Sequence, residues 1–146
     1  MPVNPTSDQI AAISAVAGTA DDGPLVMVNL NRYRERAAYE GTPPGGDSAD
    51  VTGHEAYARY SATAVPKLLS LGGEVLWYTQ STMTVIGDES DLYDEVITVR
   101  YPSAQAFLDL ALDPEVRVAL AHRTAGLERS ALICCEGGIV APTADS

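Results

Sequence analysis

The feature that most constrains the fold of this chain is a set of four short apolar runs separated by stretches with helical spacing. The runs cover residues 25–31, 74–80, 93–101 and 128–136, and they are rich in the β-branched, aromatic and large apolar residues typical of strands. Residues 82–87 either extend the second run or form a strand of their own. The sequence therefore predicts a sheet of four principal strands.

The longest helical stretch begins with a capping box, in which Thr52 precedes Glu55 by three residues. Apolar side chains follow at three- and four-residue steps, which predicts a helix that extends to about residue 71. Pro66 lies inside this helix and removes one backbone hydrogen bond, so we expect a kink there.

Three further helices are predicted at residues 7–17, 103–112 and 114–125. Each follows a threonine, a serine or an aspartate, which are residues that cap helix N-termini. Residues 37–52 contain a run of proline and glycine and are predicted to form a long irregular loop. In compact domains such a loop is either a functional lid or a mobile excursion, and the sequence leaves both open.

The predicted order is a helix followed by strand-helix-strand-strand-helix-strand, which is the ferredoxin-like arrangement of an α+β protein with an antiparallel sheet. A length of 146 residues and an apolar fraction of 46% suit one domain with a real core. We expect this domain to span residues 1–146, with its core at about 24–136, the extra N-terminal helix at about 7–17 and a loose tail at 137–146.

Helices cover one face of such a sheet, and the opposite face needs a cover of its own. An apolar sheet face is rarely left exposed, and in many proteins of this arrangement a second copy supplies the cover, sheet on sheet. We therefore expect a homodimer in which the two sheets form a dimeric α+β barrel.

The composition excludes several classes of partner. Twenty acidic residues against nine basic ones give a net charge of −11, and such a surface repels phosphate backbones and anionic membranes. Neither a nucleic acid nor a membrane is therefore an expected partner. The N-terminus has no basic segment and no long apolar run of a signal peptide, which favours a cytoplasmic location.

Several kinds of chemistry also lack their sequence signals. The adjacent Cys134 and Cys135 point to opposite faces of a strand and cannot easily bridge. No phosphate-binding glycine loop, no nucleophile elbow and no metal-ligand spacing is present in the sequence. We therefore expect neither a metal nor another cofactor.

Five blocks in order resemble one known family. The blocks are Val28-Asn29-Leu30 with Arg32, residues 53–60, residues 72–77, residues 94–108, and Asp113-Pro114-Glu115 with residues 122–127. Together they resemble the domain of unknown function 1330 family, within the dimeric α+β barrel superfamily, over roughly residues 24–135. The resemblance implies the fold and the dimer, and it implies no settled reaction. The N-terminal helix and the Pro/Gly loop resemble additions to shorter members of the family.

The inward sheet face of a dimeric barrel is a natural cavity for a small molecule. Alternation places Asn29 and Asn31 on one face of the first strand, and Thr98 and Arg100 on one face of the third. Because the apolar alternate face of the third strand should pack on the helices, we expect these four side chains to line the cavity. Amides, a hydroxyl and a guanidinium suit a carboxylate, an enolate or a phenolate. The asparagines also fit a structural role at strand ends, and Arg100 fits a surface ion pair.

His54, in the first turn of the long helix and next to the loop, is the candidate general base, because histidine is the usual proton carrier near neutral pH. It equally fits an exposed polar position in the capping box. Tyr57, Tyr60 and Trp77 are candidate aromatic contacts to a substrate, although tyrosines on a helix face are more often core residues. His122, at the end of the last helix, fits a structural role.

Two functions from different classes remain open from the sequence. The first is a cofactor-independent enzyme of the isomerase, cyclase or monooxygenase type acting on a small aromatic or polyketide-like acid, with His54 moving the proton and Arg100 and Asn29 holding the oxyanion. This hypothesis rests partly on what the superfamily's other members do, which is an analogy of fold. The second is a non-catalytic ligand-binding or stress-associated dimer. A dimer with a filled barrel and no ligand is the third alternative.

Overall fold

The computed structural model describes residues 3–137. The strands are β1 (Leu25–Tyr33), β2 (Glu74–Gln80), β3 (Glu95–Tyr101) and β4 (Leu127–Glu136). The helices are α1 (Ser7–Ser14), α2 (Gly53–Ser70), α3 (Ala104–Ala111) and α4 (Pro114–Gly126). The strands follow the order β2-β3-β1-β4, and each neighbouring pair is antiparallel. This is the predicted ferredoxin-like α+β arrangement, with α1 added before it.

Both predicted capping boxes form. The Oγ1 of Thr52 accepts the Glu55 N–H at 3.1 Å, and the Glu55 Oε1 accepts the Thr52 N–H at 3.3 Å. A reciprocal pair of the same kind begins α1. α2 continues through Pro66, and the chain turns at Gly72, whose φ of +84° is a conformation that side-chain-bearing residues rarely adopt. The local helix signals of the sequence were therefore sufficient to position these helix starts.

Residues 82–87 form no strand, neither as an extension of β2 nor by themselves. Beyond a hydrogen bond of 2.8 Å from the Ser81 N–H to the Asp94 carbonyl, this segment leaves the sheet. Val85 and Ile86 are 85% and 94% exposed. The sequence-based prediction was wrong here because apolar composition favours a strand only where a partner strand is available.

One face of the sheet carries the core. Along β3 the residues with odd numbers are buried, whereas those between them are partly or fully exposed. α2, α3 and α4 supply most of the other buried side chains of the same hydrophobic cluster. The cluster includes Leu25, Met27, Tyr57, Leu68, Ile97, Val99, Tyr101, Leu110, Val116 and Leu127.

The register of β1 corrects the predicted assignment of the sheet faces. Asn29 pairs directly with Ile97, and residues paired across an antiparallel ladder share a face. Asn29 and Asn31 therefore face the helices, whereas Thr98 and Arg100 face the opposite side. The prediction was wrong because both alternate faces of β1 are apolar enough to pack inward, and the polar members of the buried face find partners from distant parts of the chain.

A bulge in β2 decides which aromatic residue faces the helices. Val75 pairs with Val99 and Trp77 pairs with Thr98, so Leu76 is an extra residue in the ladder. After the bulge Trp77 lies on the open face and Tyr78 on the helix-covered face. Strict alternation from the sequence cannot reveal this shift, since it depends on the partner strand.

The Pro/Gly-rich segment between β1 and α2 is tied to the rest of the fold. The Ala38 N–H donates to the Ala125 carbonyl at the end of α4, at 2.9 Å. The Ala37 N–H donates to the Val51 carbonyl, also at 2.9 Å, so the base of the loop is closed.

The C-terminal end of the described chain pairs with the residue that precedes β1. Gly137, the last described residue, donates its N–H to the Pro24 carbonyl at 3.0 Å. The predicted loose tail otherwise lies outside the described residues. None of the helices within residues 3–137 is long and apolar enough to cross a membrane.

Candidate functional site

The start of α2 is held against the ends of β1 and α4, and this contact positions His54. The Arg34 N–H donates to the Gly126 carbonyl at 2.8 Å, and the Gly53 N–H donates to the Arg34 carbonyl at 3.1 Å. A Cβ atom at Gly53 would collide with the carbonyl oxygens of both neighbours. Only glycine allows this close approach, so the residue that precedes His54 is required by packing.

A cleft of about 240 Å³ lies between α2 and the helix-covered face of the sheet, next to β2. Its size is below that of typical sites for drug-sized ligands, and it suits a molecule of one or two rings. Its walls are largely apolar and include Tyr57, Tyr60, Leu68, Val75, Val99 and Tyr101. Its polar members include Asn29, His54 and Tyr78.

A buried carboxylate contacts the polar residues of this cleft. Glu95, at the start of β3, is only 3% exposed. The Tyr33 hydroxyl donates to Glu95 Oε1 at 2.5 Å, and His54 Nε2 lies 3.2 Å from the same oxygen. The side chain of His54 is 53% exposed, so it lies at the mouth of the cleft with the carboxylate behind it. A carboxylate in this place orients the imidazole.

A chain of neutral side chains connects Glu95 to a second buried charge. Beyond Tyr33, Asn31 is fully buried and its Nδ2 lies 3.5 Å from the Tyr33 hydroxyl. The Ser130 hydroxyl donates to Asn31 Oδ1 at 3.2 Å, and Arg123 Nη2 donates to Ser130 Oγ at 3.2 Å. Within residues 3–137, Arg123 makes hydrogen bonds only to neutral groups. A buried cation and a buried anion thus lie at opposite ends of one hydrogen-bonded chain, in which such bonds polarise one another.

The phenols around the cleft remain protonated over the ordinary pH range. Burial raises the pKa of Tyr33, and its hydrogen bond to Glu95 raises it further. Burial also raises the pKa of Tyr78, and the neighbouring Glu95 adds to that effect. The pKa of Tyr57 is raised by burial as well. These hydroxyls therefore keep their protons at neutral pH, and those of Tyr33 and Tyr78 hydrogen-bond to Glu95.

The sheet separates the residues that the sequence grouped together. Asn29, His54, Tyr57 and Tyr60 line the cleft, and Asn31 lies behind it in the hydrogen-bonded chain. Trp77, Thr98 and Arg100 lie on the open face, where Arg100 Nη1 is 3.7 Å from a carboxylate oxygen of Glu74. The predicted combination of Asn29 with Arg100 at one oxyanion therefore does not form.

The second histidine belongs to a different cluster. His122 Nδ1 lies 2.6 Å from the Tyr39 hydroxyl, which also accepts from Arg59 Nη1 at 3.1 Å. The same guanidinium nitrogen donates to the Ser48 carbonyl at 2.7 Å and so holds the loop. Burial lowers the pKa of His122, and the positive charge of Arg59 lowers it further. This arrangement agrees with the structural role expected from the sequence.

Two residues of the site, Tyr33 and Glu95, were missed by the sequence reasoning, and Trp77 was predicted in the place that Tyr78 takes. One signal could have found Glu95, because it occupies the same alternate face as Ile97 and Val99 in a strand whose other side is open. An acid on the buried face of a strand must have partners, which marks it as a candidate for a specific role. Tyr33 and Tyr78 carry no such signal, since their faces depend on the end of β1 and on the bulge in β2.

Metal binding is not indicated within the described range. No group of three or more His, Cys, Asp or Glu side chains among residues 3–137 could hold a metal ion. The site that these residues do form is an aromatic-walled cleft with an imidazole–carboxylate pair.

Fold and site together define an α+β protein of the ferredoxin-like arrangement with an apolar cleft between α2 and the sheet. The chain belongs to the family described as Domain of unknown function (DUF1330), whose model matches residues 47–137. This confirms the family resemblance of the sequence blocks.

Two solved structures are similar to this chain over nearly its whole length. The crystal structure of the methylated RPA0582 protein is 38% identical, with a TM-score of 0.78, and the match covers 92% of this chain and 93% of that one. The crystal structure of RPA0582, a protein of unknown function from Rhodopseudomonas palustris, is 37% identical, with a TM-score of 0.80 and coverage of 96% and 98%. A comparison with curated proteins finds no match.

Proposed function

We propose that the chain is a cofactor-independent acid–base enzyme of the isomerase type, which moves a proton on a small, largely apolar carbonyl compound. The observation that carries the proposal is the 3.2 Å contact between His54 Nε2 and the buried Glu95 Oε1 at the wall of an apolar cleft. Pairing of Nε2 with the carboxylate leaves Nδ1, which has no hydrogen-bond partner within residues 3–137, as the proton acceptor.

The proposed step is the removal of a proton from a carbon next to the carbonyl group. The C–H bond breaks, His54 Nδ1 takes the proton, and the electron pair passes through the carbon framework to the carbonyl oxygen as an enolate. Glu95 stabilises the resulting imidazolium, and the Tyr60 hydroxyl, which lines the cleft, is the donor for the enolate oxygen. Return of the proton to the same or another carbon completes the reaction, so no oxidant or cofactor is consumed.

The cleft assigns new roles to several residues predicted from the sequence. Tyr57 and Tyr60 form its walls, Asn29 is one of its few polar members, and His54 keeps its role as the base. Arg100 loses the oxyanion role, because it lies on the other side of the sheet with Glu74.

The test uses 2-tetralone, an uncharged ring ketone with acidic protons next to its carbonyl group. In D₂O, proton NMR follows the exchange of these protons for deuterium with and without the protein. We expect the protein to accelerate exchange, and His54→Ala to reduce the acceleration by about 10²–10⁴-fold. The matched control, His122→Ala, removes the other histidine and should retain the acceleration.

If the wild-type protein does not accelerate exchange although 2-tetralone perturbs the NMR signals of the cleft, the catalytic proposal is wrong. The non-catalytic ligand-binding alternative is then the function that remains. If His54→Ala and His122→Ala lose the acceleration equally, the base is not His54.

We further propose that two copies of this chain pair through the open face of the sheet. Val26, Val28, Leu30 and Ile133 occupy this face, which is apolar across its centre. An apolar surface can meet a copy of itself across a two-fold axis, which is the commonest symmetry of soluble oligomers. The polar side chains at its border are already paired, as in the contact of Arg32 Nε with Glu128 Oε2 at 3.3 Å.

Light scattering after gel filtration tests the pairing. We expect a mass of about twice the 15.4 kDa of one chain. Val28→Lys should shift the mass to that of the monomer, whereas Val118→Lys, a substitution at an exposed valine of α4, should leave it unchanged. A wild-type protein that elutes as a monomer at micromolar concentration would contradict the proposal.

A further inference from the structure

The charges around the cleft differ from those expected of a site for an organic acid. None of the described residues that line the cleft is a lysine or an arginine. Arg100 lies on the opposite side of the sheet. Arg123 does not line the cleft and hydrogen-bonds to Val3, Asn4 and Ser130, although its charge acts on the cleft-wall residues Tyr57 and Tyr60. The cleft therefore offers no guanidinium or ammonium group to a carboxylate.

The groups that do carry charge at the cleft disfavour an anion further. Glu95 is a buried carboxylate behind the polar end of the cleft, and its field acts at short range in a low dielectric. His54 in its protonated form neutralises that charge but leaves no net positive charge. An anionic ligand would lose its hydration without gaining a counter-ion, which is costly.

A cation is disfavoured for a different reason. An ammonium group has three donors to satisfy, and the carboxylate of Glu95 already receives the Tyr33 hydroxyl, the His54 ring N–H and the Tyr78 hydroxyl. The remainder of the cleft is mainly aromatic and aliphatic. Burial of an ammonium group there would cost hydration with little return beyond contact with tyrosine faces.

An uncharged hydroxyl group, in contrast, finds a free acceptor. The side chain of Asn29 makes one hydrogen bond within residues 3–137, from its Nδ2 to the Ile97 carbonyl at 3.2 Å. Its amide oxygen has no protein donor in that range, and Asn29 lines the cleft. The Tyr78 hydroxyl is a second polar group on the same wall region.

We propose that the cleft binds uncharged ring compounds that carry one hydroxyl or enol group, and that it discriminates against acids and amines of the same shape. This inference rests on the site of the proposed function, and it names the substrate class of that site. The expected ligand is no longer the organic acid predicted from the sequence, because Arg100, the guanidinium of that prediction, lies on the opposite side of the sheet.

The test compares three naphthalenes that share the ring and carry a neutral, an anionic or a cationic group at the same position: 2-naphthol, 2-naphthoate and 2-(aminomethyl)naphthalene. Calorimetry at about pH 7, where the naphthol is neutral and the other two probes are charged, gives the dissociation constants. Nitrogen-edited NMR locates each probe. We expect 2-naphthol to bind in the cleft at least about tenfold more tightly than either charged analogue, which is about 1.4 kcal/mol.

Glu95→Gln sharpens the comparison, because it removes the negative charge and keeps the shape. We expect the preference for 2-naphthol over 2-naphthoate to shrink severalfold in this variant, with the amine still weak. Asn29→Leu removes the free acceptor and should weaken the binding of 2-naphthol by roughly two- to tenfold, which is the range for the loss of one neutral hydrogen bond. Gln105→Leu, at an exposed amide side chain of α3 that hydrogen-bonds to Asp109, is the control.

Equal or tighter binding of the acid or the amine by the wild-type protein would overturn the inference, and so would the absence of binding by all three probes. Its failure is distinguishable from failure of the proposed function. Binding of 2-naphthol without acceleration of the 2-tetralone exchange leaves the ligand class and removes the catalysis. Acceleration of exchange together with tighter binding of a charged probe would support the catalysis and contradict the ligand class.

Discussion

Each of the two histidines of this chain lies in a cluster with a tyrosine. The two clusters differ in the charged residue that they also contain. Each imidazole contacts a tyrosine, Tyr33 for His54 and Tyr39 for His122, with both rings nearly perpendicular. The second partner of the His54 cluster is the carboxylate of Glu95, whereas that of the His122 cluster is a guanidinium. One cluster opens into an apolar cleft, and the other holds a loop against two helices.

The difference shows that the charge next to a histidine decides what it can do. A carboxylate stabilises the protonated ring, so a histidine beside it can take up a proton and hold it during a reaction. A guanidinium destabilises the protonated ring, so His122 remains a neutral hydrogen-bonding partner. The following predictions test this contrast, first through the exchange reaction and then through stability, where they run from the largest expected effect to the smallest.

Removal of the charged partner should separate the two clusters most clearly. Glu95→Gln should reduce the acceleration of 2-tetralone exchange by at least about tenfold, because the imidazolium loses its stabilising carboxylate. Arg59→Met removes the charged partner of the other cluster and should leave exchange unchanged. Equal losses in the two variants would show that exchange does not depend on the His54 cluster.

The backbone support of the His54 cluster should be the most sensitive to a single methyl group. Gly53→Ala would force its Cβ into the carbonyl oxygens of Arg34 and Gly126, so we expect a loss of more than about 3 kcal/mol in the free energy of unfolding. Gly23→Ala, where a Cβ meets nothing within 4 Å, is the control and should be nearly neutral. Urea denaturation of both variants measures the difference.

Removal of the two tyrosine hydroxyls should produce unequal losses of stability. Tyr33→Phe leaves a buried carboxylate without one of its donors, which should cost about 1–3 kcal/mol in the free energy of unfolding. In Tyr39→Phe, Arg59 still donates its hydrogen bond to the Ser48 carbonyl. The loss in the free energy of unfolding should therefore be only about 0.5–1.5 kcal/mol. Chemical denaturation at constant pH compares them, and a larger loss in Tyr39→Phe would contradict the contrast.

The smallest effect is a pH dependence of stability that His122 causes. Because burial and Arg59 lower the pKa of His122 in the folded state, the unfolded chain binds the proton more readily. The contribution to stability is therefore complete above the ordinary value of 6.5 and is lost as the pH falls from there towards the lowered pKa.

Denaturation at about pH 7.5 and about pH 5.5 brackets the titration of an ordinary histidine. The wild-type protein should lose stability between the two, and His122→Gln, which keeps a polar side chain but does not titrate, should lose less. An unchanged difference in the variant would assign the pH dependence to other groups.

Much of the fold could be predicted from the sequence because its signals are local. The caps at Thr6, Thr52 and Ser103 begin helices within one residue of the expected places, and four of the apolar runs became strands. Segment 82–87 was the exception, because a strand also needs a partner that its own residues cannot supply.

The site could be predicted only in part. His54, Tyr57 and Tyr60 line one cleft, as local spacing along a helix face allows. Asn29 lies in the same cleft only because it faces the helices and not the side that the sequence predicted. Glu95 was missed because its role depends on its contacts with Tyr33 and His54, which lie far from it in the sequence.

What the sequence alone determined is which segments form helices and strands and in what order, because caps, propensities and turn residues act over a few neighbouring positions. What only the tertiary structure decided is which face of each strand is covered and which side chains meet. Asn29 joins Ile97 across 68 positions of sequence, and His54 meets Glu95 only after β1, α2 and β3 pack together. A shift of one residue in that register would exchange the two faces, so the chemistry of the cleft is a property of the assembled sheet.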